Sequence, residues 1–305
     1  MKKNKLVSYC LFTYNQEKYI EKCLSSALAQ TYSPLEIIVS DDFSSDNTFE
    51  IVKKIKQEYE GPHKIIINRN EKNLGIGPHV SKIIYDLSKG EYCVLIGGDD
   101  ISKKNHVATA VAYIEGKFKD FNMLDFNANI IDSNGDFIKK IKLNYDYKQV
   151  KLVDFLKANK LESFAPGRII KRNFFKSFDP ISNNCPTEDV VLVLRSLLAG
   201  GFIRINEVLV NYRRHEANIS TKENIAKFSN LAIIAQFAKD IIHLFNKNEI
   251  NEKLTILLFQ RIKLEYKLRN IQFSDKWYNK NVRIKLLIVK LYKFIFRIKF
   301  FFKLP

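Results

Sequence analysis

Apolar residues in the first hundred positions recur at two spacings. Residues 6–12, 35–39, 64–67 and 92–96 are short, nearly unbroken apolar runs and read as strands. Between them, Ile20, Cys23, Leu24, Ala27 and Leu28 recur every three or four positions, one face of a helix. Phe49, Val52, Ile55 and Tyr59 predict a second helix, capped by Ser44, Ser45 or Asp46, and Val80, Ile83, Ile84 and Leu87 predict a third. Strand–helix alternation predicts an α/β fold, with a mainly parallel, Rossmann-type sheet flanked by helices. Sheets of this kind bind ligands beyond the carboxyl ends of their strands. Two of the strands end in carboxylate pairs, Asp41-Asp42 and Asp99-Asp100.

The middle of the chain is less regular. Residues 123–132 and 137–143 flank Ser133-Asn134-Gly135-Asp136, a hairpin signal. Residues 152–158 read as helix, and 163–170 as a turn entering a strand. Residues 187–198 read as a helix opening on Glu188 and Asp189, and 202–212 as an extended segment leading into Arg213, Arg214 and His215. Helical patterns then cover 222–246, 251–270 and 275–303. The change of character divides the chain into an α/β domain, 1–221, and a C-terminal helical extension, 222–305.

Charge sharpens that division. The 305 residues carry a formal charge of +17, and 46% are hydrophobic, enough for a core. Beyond residue 222 there are 17 Lys/Arg against 6 Asp/Glu, a net of +11, which leaves 17 − 11 = +6 for the rest. A lysine-biased composition accounts for part of the excess but not for its position. Residues 276–305 hold nine Lys/Arg, no acid and many aliphatic and aromatic residues. This pattern suits a basic amphipathic helix on an anionic membrane surface, or a helix packed on the body or on a partner subunit. Nucleic acid is not expected as a partner, because the aromatics sit among aliphatics, a poor arrangement for base stacking. Cys10, Cys23, Cys93 and Cys185 form no CxxC pair and fit a reducing compartment. The apolar start is too short and lacks the cleavage pattern of a leader peptide, and no uncharged run reaches spanning length. The expected location is cytoplasmic, peripheral on the inner face of the cell membrane.

Three acid pairs carry the candidate chemistry. Asp41-Asp42 can accept the N–H of a base or a ribose hydroxyl, or simply cap the following helix. Asp99-Asp100 follows two glycines that let backbone approach a ligand; such carboxylates suit Mg²⁺ or Mn²⁺, and also suit an ordinary polar turn. Glu188-Asp189 sits where a helix dipole favours ionised carboxylates, as a general base requires. Arg213 and Arg214 can neutralise a diphosphate, and His215 can complete a metal shell.

The stretch from Thr13-Tyr14-Asn15 through Gln30-Thr31-Tyr32 to the run Glu36 to Thr48 closely resembles the opening of family 2 glycosyltransferases. Asn73-x-Gly75, Gly90-Glu91-Tyr92, Asp99-Asp100, Glu188-Asp189 and Tyr212-Arg213-x-His215 follow in the family's order, over about residues 5–220. The resemblance implies a GT-A fold and an inverting transfer from a nucleotide-sugar donor, UDP-linked in expectation, to a surface-glycan or lipid-linked acceptor, aided by Mn²⁺ or Mg²⁺. It implies that Phe12, Tyr14, Asn15, Glu17, Asp42, Asn73, Gly75, Asp99, Glu188 and Arg213 contact the donor. Asp100, with His215, would hold the metal, and Asp189 would be the catalytic base. The pattern departs from the family at several places. Phe12 stands where Pro is common, Val80 and Ser81 replace an Arg-Asn pair, and Gly97 stands where some members carry Asp.

Overall fold

The computed structural model describes residues 4–157 and 161–273. In chain order the strands are β1 (Val7–Thr13), β2 (Leu35–Asp41), β3 (Lys64–Arg69), β4 (Tyr92–Gly97), β5 (Ile101–Ser102), β6 (Met123–Ile131), β7 (Phe137–Lys140), β8 (Tyr147–Val150), β9 (Ile169–Lys171) and β10 (Phe202–Arg213). The helices are α1 (Ile20–Leu28), α2 (Thr48–Glu58), α3 (Ile76–Lys82), α4 (His106–Glu115), α5 (Leu152–Leu156), α6 (Arg172–Lys176), α7 (Asp189–Leu198), α8 (Lys222–Ala226), α9 (Asn230–Asn246) and α10 (Glu252–Phe273). After α3 the chain makes one π-helical turn, Ile83–Leu87, so the third expected helix forms in two pieces.

The ten strands form one sheet, ordered β3-β2-β1-β4-β9-β6-β10-β5, with β7 on β6 and β8 on β10. β1, β2, β3 and β4 pair in parallel. β9 is antiparallel to both β4 and β6, and β10 is parallel to β6. It follows that the carboxyl ends of β1, β2, β4, β6 and β10 share one edge with the amino end of β9. β9 meets β4 at Val94 while β4 runs on to Gly97, so the sheet is notched there. A crossover topology of this kind collects loops from distant sequence positions at one rim.

β1 shows why the apolar runs are unbroken. Val7, Tyr9 and Leu11 face one core with α1 and α4, while Cys10 faces the other with α3 and α7. Both faces are covered, so both must be apolar. The second core continues into Ile233, Phe237, Ile241, Leu258 and Ile262, placing α9 and α10 against the same packing as the sheet. The helix expected over 222–246 is two helices, because Thr221 caps α8 and Ser229 starts a new cap for α9. The pattern over 275–303 and the basic tail lie outside the described residues.

Candidate active site

Three loops at the carboxyl edge are tied to one another by side chains. Asn15, held at φ 51°, accepts the N–H of Ser45 at 2.8 Å and donates its own N–H to Ser44 Oγ at 2.8 Å. Glu17 accepts the N–H and the amide of Asn47 at 3.0 and 3.1 Å. Asp41 closes the turn after β2 by accepting the Ser44 N–H at 3.0 Å. Asp42 is buried and reaches forward: its carboxylate accepts Asn70 Nδ2 at 2.8 Å and the N–H groups of Leu74 and Gly75, each at 2.9 Å. Asn73 also accepts from Gly75, whose φ of 78° only glycine adopts freely. Asn15, Glu17, Asp42, Asn73 and Gly75 thus tie the loops after β1, β2 and β3 together, and Tyr14 beside them is 48% exposed. Phe12, near the end of β1, lies opposite Gly97 of β4.

The acid pair after β4 lies beside these loops. A Cβ added at Gly98 would fall 2.4 Å from Gln16 Oε1 and 2.8 Å from Thr13 Oγ1, so the glycine permits the two loops to touch. The end of β10 completes the group. Asp100 Oδ1 accepts the Arg213 N–H at 2.9 Å, and Arg213 Nε donates to the Asp99 carbonyl at 2.9 Å. His215 Nε2 lies 3.0 Å from Asp99 Oδ2, which also accepts Asn218 Nδ2 at 3.1 Å. The histidine expected to join Asp100 therefore pairs with Asp99. Tyr19 stacks over both Arg213 and His215, with ring distances of 4.9 and 4.8 Å. Arg213 is buried, and among the described residues its Nη2 has no hydrogen-bond partner.

Burial pushes the Asp100 carboxyl well above its usual range, and the charge of Asp99 adds to the shift; the backbone N–H and the guanidinium of Arg213 offset part of it. The pair is short of positive charge. Carboxylate oxygens of this kind suit a divalent cation such as Mg²⁺ or Mn²⁺, but His215 is turned to Asp99 rather than toward a shared ion position. Among the described residues no three His, Cys, Asp or Glu side chains are grouped to hold an ion.

The third acid pair starts α7. Gly77 in α3 is so close to the loop before α7 that an added Cβ would fall 2.3 Å from the Cys185 carbonyl, so the glycine lets that loop pack on α3. Glu188 is buried, and burial, then the charge of Asp189, raises its pKa to about 8. Asp189 is shifted upward mainly by desolvation, offset by Arg168; its side chain is still 44% open to solvent. Arg168, just before β9 in the notch, donates from Nη1 to Asp189 Oδ1 at 3.2 Å. The same guanidinium grips Asp125 of β6 through Nε and Nη2 at 2.9 and 3.1 Å. His106 braces the loop from behind, between Ser102 Oγ and the Gly167 carbonyl, and burial lowers its pKa to about 4, so it is neutral.

The sequence pointed to Asp99, Asp100, Arg213 and His215, which come together, and to Glu188 and Asp189, which the topology brings to the same edge. Arg168, Asp125, Tyr19 and Asn218 were not anticipated. For Arg168 a signal existed: an arginine followed by Ile169 and Ile170 and preceded by glycine must be buried, and a buried guanidinium demands acids.

A parallel-rich sheet with acid pairs and an arginine on its carboxyl edge is an arrangement of the GT-A type. The fold is similar to that of the Staphylococcus aureus protein TarS, residues 1–349, in complex with UDP-GlcNAc, among other solved structures: TM-score 0.63 and 19% identity, covering 97% of this chain and 79% of that one. The chain belongs to glycosyl transferase family 2, whose model matches residues 8–178. Its relatives include the glycosyltransferase GlyG of Streptococcus pneumoniae, 26% identical over 80% of this chain and 79% of that protein. The O-antigen biosynthesis glycosyltransferase WbnJ of Escherichia coli is 27% identical over 72% of this chain and 83% of its own length.

Proposed function

We propose that the enzyme moves a sugar from a UDP-linked donor to a hydroxyl of a surface-glycan or lipid-linked acceptor, with inversion at the anomeric carbon. The observation that carries this reading is Asp189, a half-open carboxylate at a helix start, held on one oxygen and free on the other. Asp189 takes the proton of the acceptor hydroxyl as its oxygen attacks the anomeric carbon from the side opposite the leaving diphosphate. Arg213, with a buried and unpaired N–H, supplies a hydrogen bond to a diphosphate oxygen. Asp99 and Asp100 would hold Mn²⁺ or Mg²⁺, which offsets the charge growing on the departing diphosphate. Asn15, Glu17, Asp42, Asn73 and Gly75 shape the nucleotide cleft, and Tyr14 offers a ring to the base. UDP-GlcNAc, bound by TarS, is the first donor to test; the O-antigen relative supports a glycan acceptor.

A thermal-shift screen of UDP-, GDP- and dTDP-sugars with Mn²⁺ identifies the donor: UDP-sugars are expected to raise Tm, and chelation to remove the effect. Asp189→Asn lowers transfer or donor hydrolysis by about 100-fold or more while leaving donor binding intact, and Asp100→Ala lowers both. Unchanged turnover in both variants rejects these roles.

A further inference from the structure

We propose that Arg168, locked by Asp125, is the positioning residue of the general base, aiming the Asp189 carboxylate by holding one of its two oxygens. The inference rests on Asp189 being the base. Its support is the geometry of the guanidinium. Arg168 is buried, and Asp125 is fully so. Nε and Nη2 close a fork on Asp125, and Nη2 also donates to Ser163 Oγ at 3.0 Å. Nη1 reaches Asp189 Oδ1 at 3.2 Å and the Asp189 carbonyl at 3.5 Å. These five contacts occupy the five N–H groups of a guanidinium. The plane of the fork is set by Asp125, so the direction of Nη1 is set as well. Asp125 is itself fixed, because its Oδ2 accepts the Phe164 N–H at 2.8 Å.

Asp189 consequently keeps Oδ1 on the protein side, and among the described residues Oδ2 accepts no hydrogen bond. A general base needs one oxygen oriented and one available. The charged groups around Asp189 are Arg168 from the notch, Asp125 from β6 and Glu188 before it on the α7 start; Arg204 on β10 stands behind Asp125. Arg168 favours ionised Asp189, whereas Asp125 opposes it and competes for the same cation.

Opposite displacements follow for the two partners, which a purely structural role would not give. In the full-length chain labelled with ¹³Cγ-aspartate, the Asp189 resonance is assigned by its loss in Asp189→Asn. Arg168→Gln should move its titration upward by about one pH unit or more, while Asp125→Asn, which frees the guanidinium for Asp189, should move it downward. With UDP-GlcNAc and Mn²⁺, the acid limb of kcat should follow each titration. In Arg168→Gln kcat should fall about tenfold or more and KM should be unchanged. Titrations that stay in place, or move the same way in both variants, overturn the proposal. If Arg168→Gln does not fold, Arg168→Lys, which keeps the charge but not the fork, decides: kcat should fall about tenfold with KM unchanged, and an unchanged kcat overturns the proposal. Turnover retained in Asp189→Asn overturns the base assignment instead, a result read independently of the two partner variants.

Discussion

Glu188 and Asp189 are adjacent carboxylates with different surroundings. Glu188 lies inside the loop beneath α7, and its pKa is raised from 4.5 to about 8. The folded protein therefore keeps a proton that the unfolded chain releases near pH 4.5. The stability linked to that proton is complete below about pH 4.5 and is lost as the pH rises through 8. Glutamine mimics the protonated side chain. Glu188→Gln is expected to raise Tm by several degrees at pH 9 and by little at pH 5, in metal-free buffer, read by calorimetry. A gain of equal size at both pH values contradicts this environment for Glu188. At this scale the sequence singled out the acid pairs but not the partners that each one meets. Asp42 is an example: its motif suggested a ligand contact, yet its carboxylate also organises Leu74 and Gly75, a loop more than thirty residues away. Which donors reach a carboxylate depends on how two distant loops meet, and no local spacing encodes that.

Among the elements, α7 connects the chemistry to the C-terminal helices. Asp189 is at its start, and Arg195, in its last turn, is buried against Asp240 of α9 at 2.8 Å. Arg195 also donates to the Asp179 carbonyl at 2.8 Å, and Gln236 joins Asp240 at 2.9 Å. Removing one partner of a buried pair strands the other charge. Asp240→Ala should cost about 3–5 kcal/mol, whereas replacing both with apolar residues of similar volume, Arg195→Met with Asp240→Leu, should recover most of it; urea denaturation measures both. Equal losses in the single and double variants would sink the idea of an uncompensated charge. The elements expected from apolar periodicity over residues 1–100 are found, because strands buried on both faces and amphipathic helices leave strong patterns. β5, β8, α4 and α6 were not anticipated. β5 spans only two residues and β8 only four, too few for a period, while α4, His106–Glu115, combines apolar residues with a buried histidine.

For the whole molecule, charge and shape separate. Among the described residues no helix is long and apolar enough to cross a membrane. Most of the basic excess, +11 of +17, lies beyond residue 222, where nine of the 17 Lys/Arg fall in residues 276–305. Each cation near an anionic surface contributes about 1 kcal/mol at best. Ending the chain at residue 275 should weaken sedimentation with phosphatidylglycerol vesicles at least about tenfold, and high salt should mask the difference. Vesicle binding that survives both the truncation and high salt rejects membrane docking through the tail.

The bolt between Arg195 and Asp240 also matters to anyone building chimaeras. Exchanging the C-terminal helices for a relative's, to import its acceptor preference, would separate two residues that must come from the same parent. A crossover placed between β10 and α9 orphans a guanidinium on the very helix that begins with Asp189, the proposed base. Such hybrids should lose turnover even where every residue touching the sugar is retained, and restoring the matching acid should bring it back.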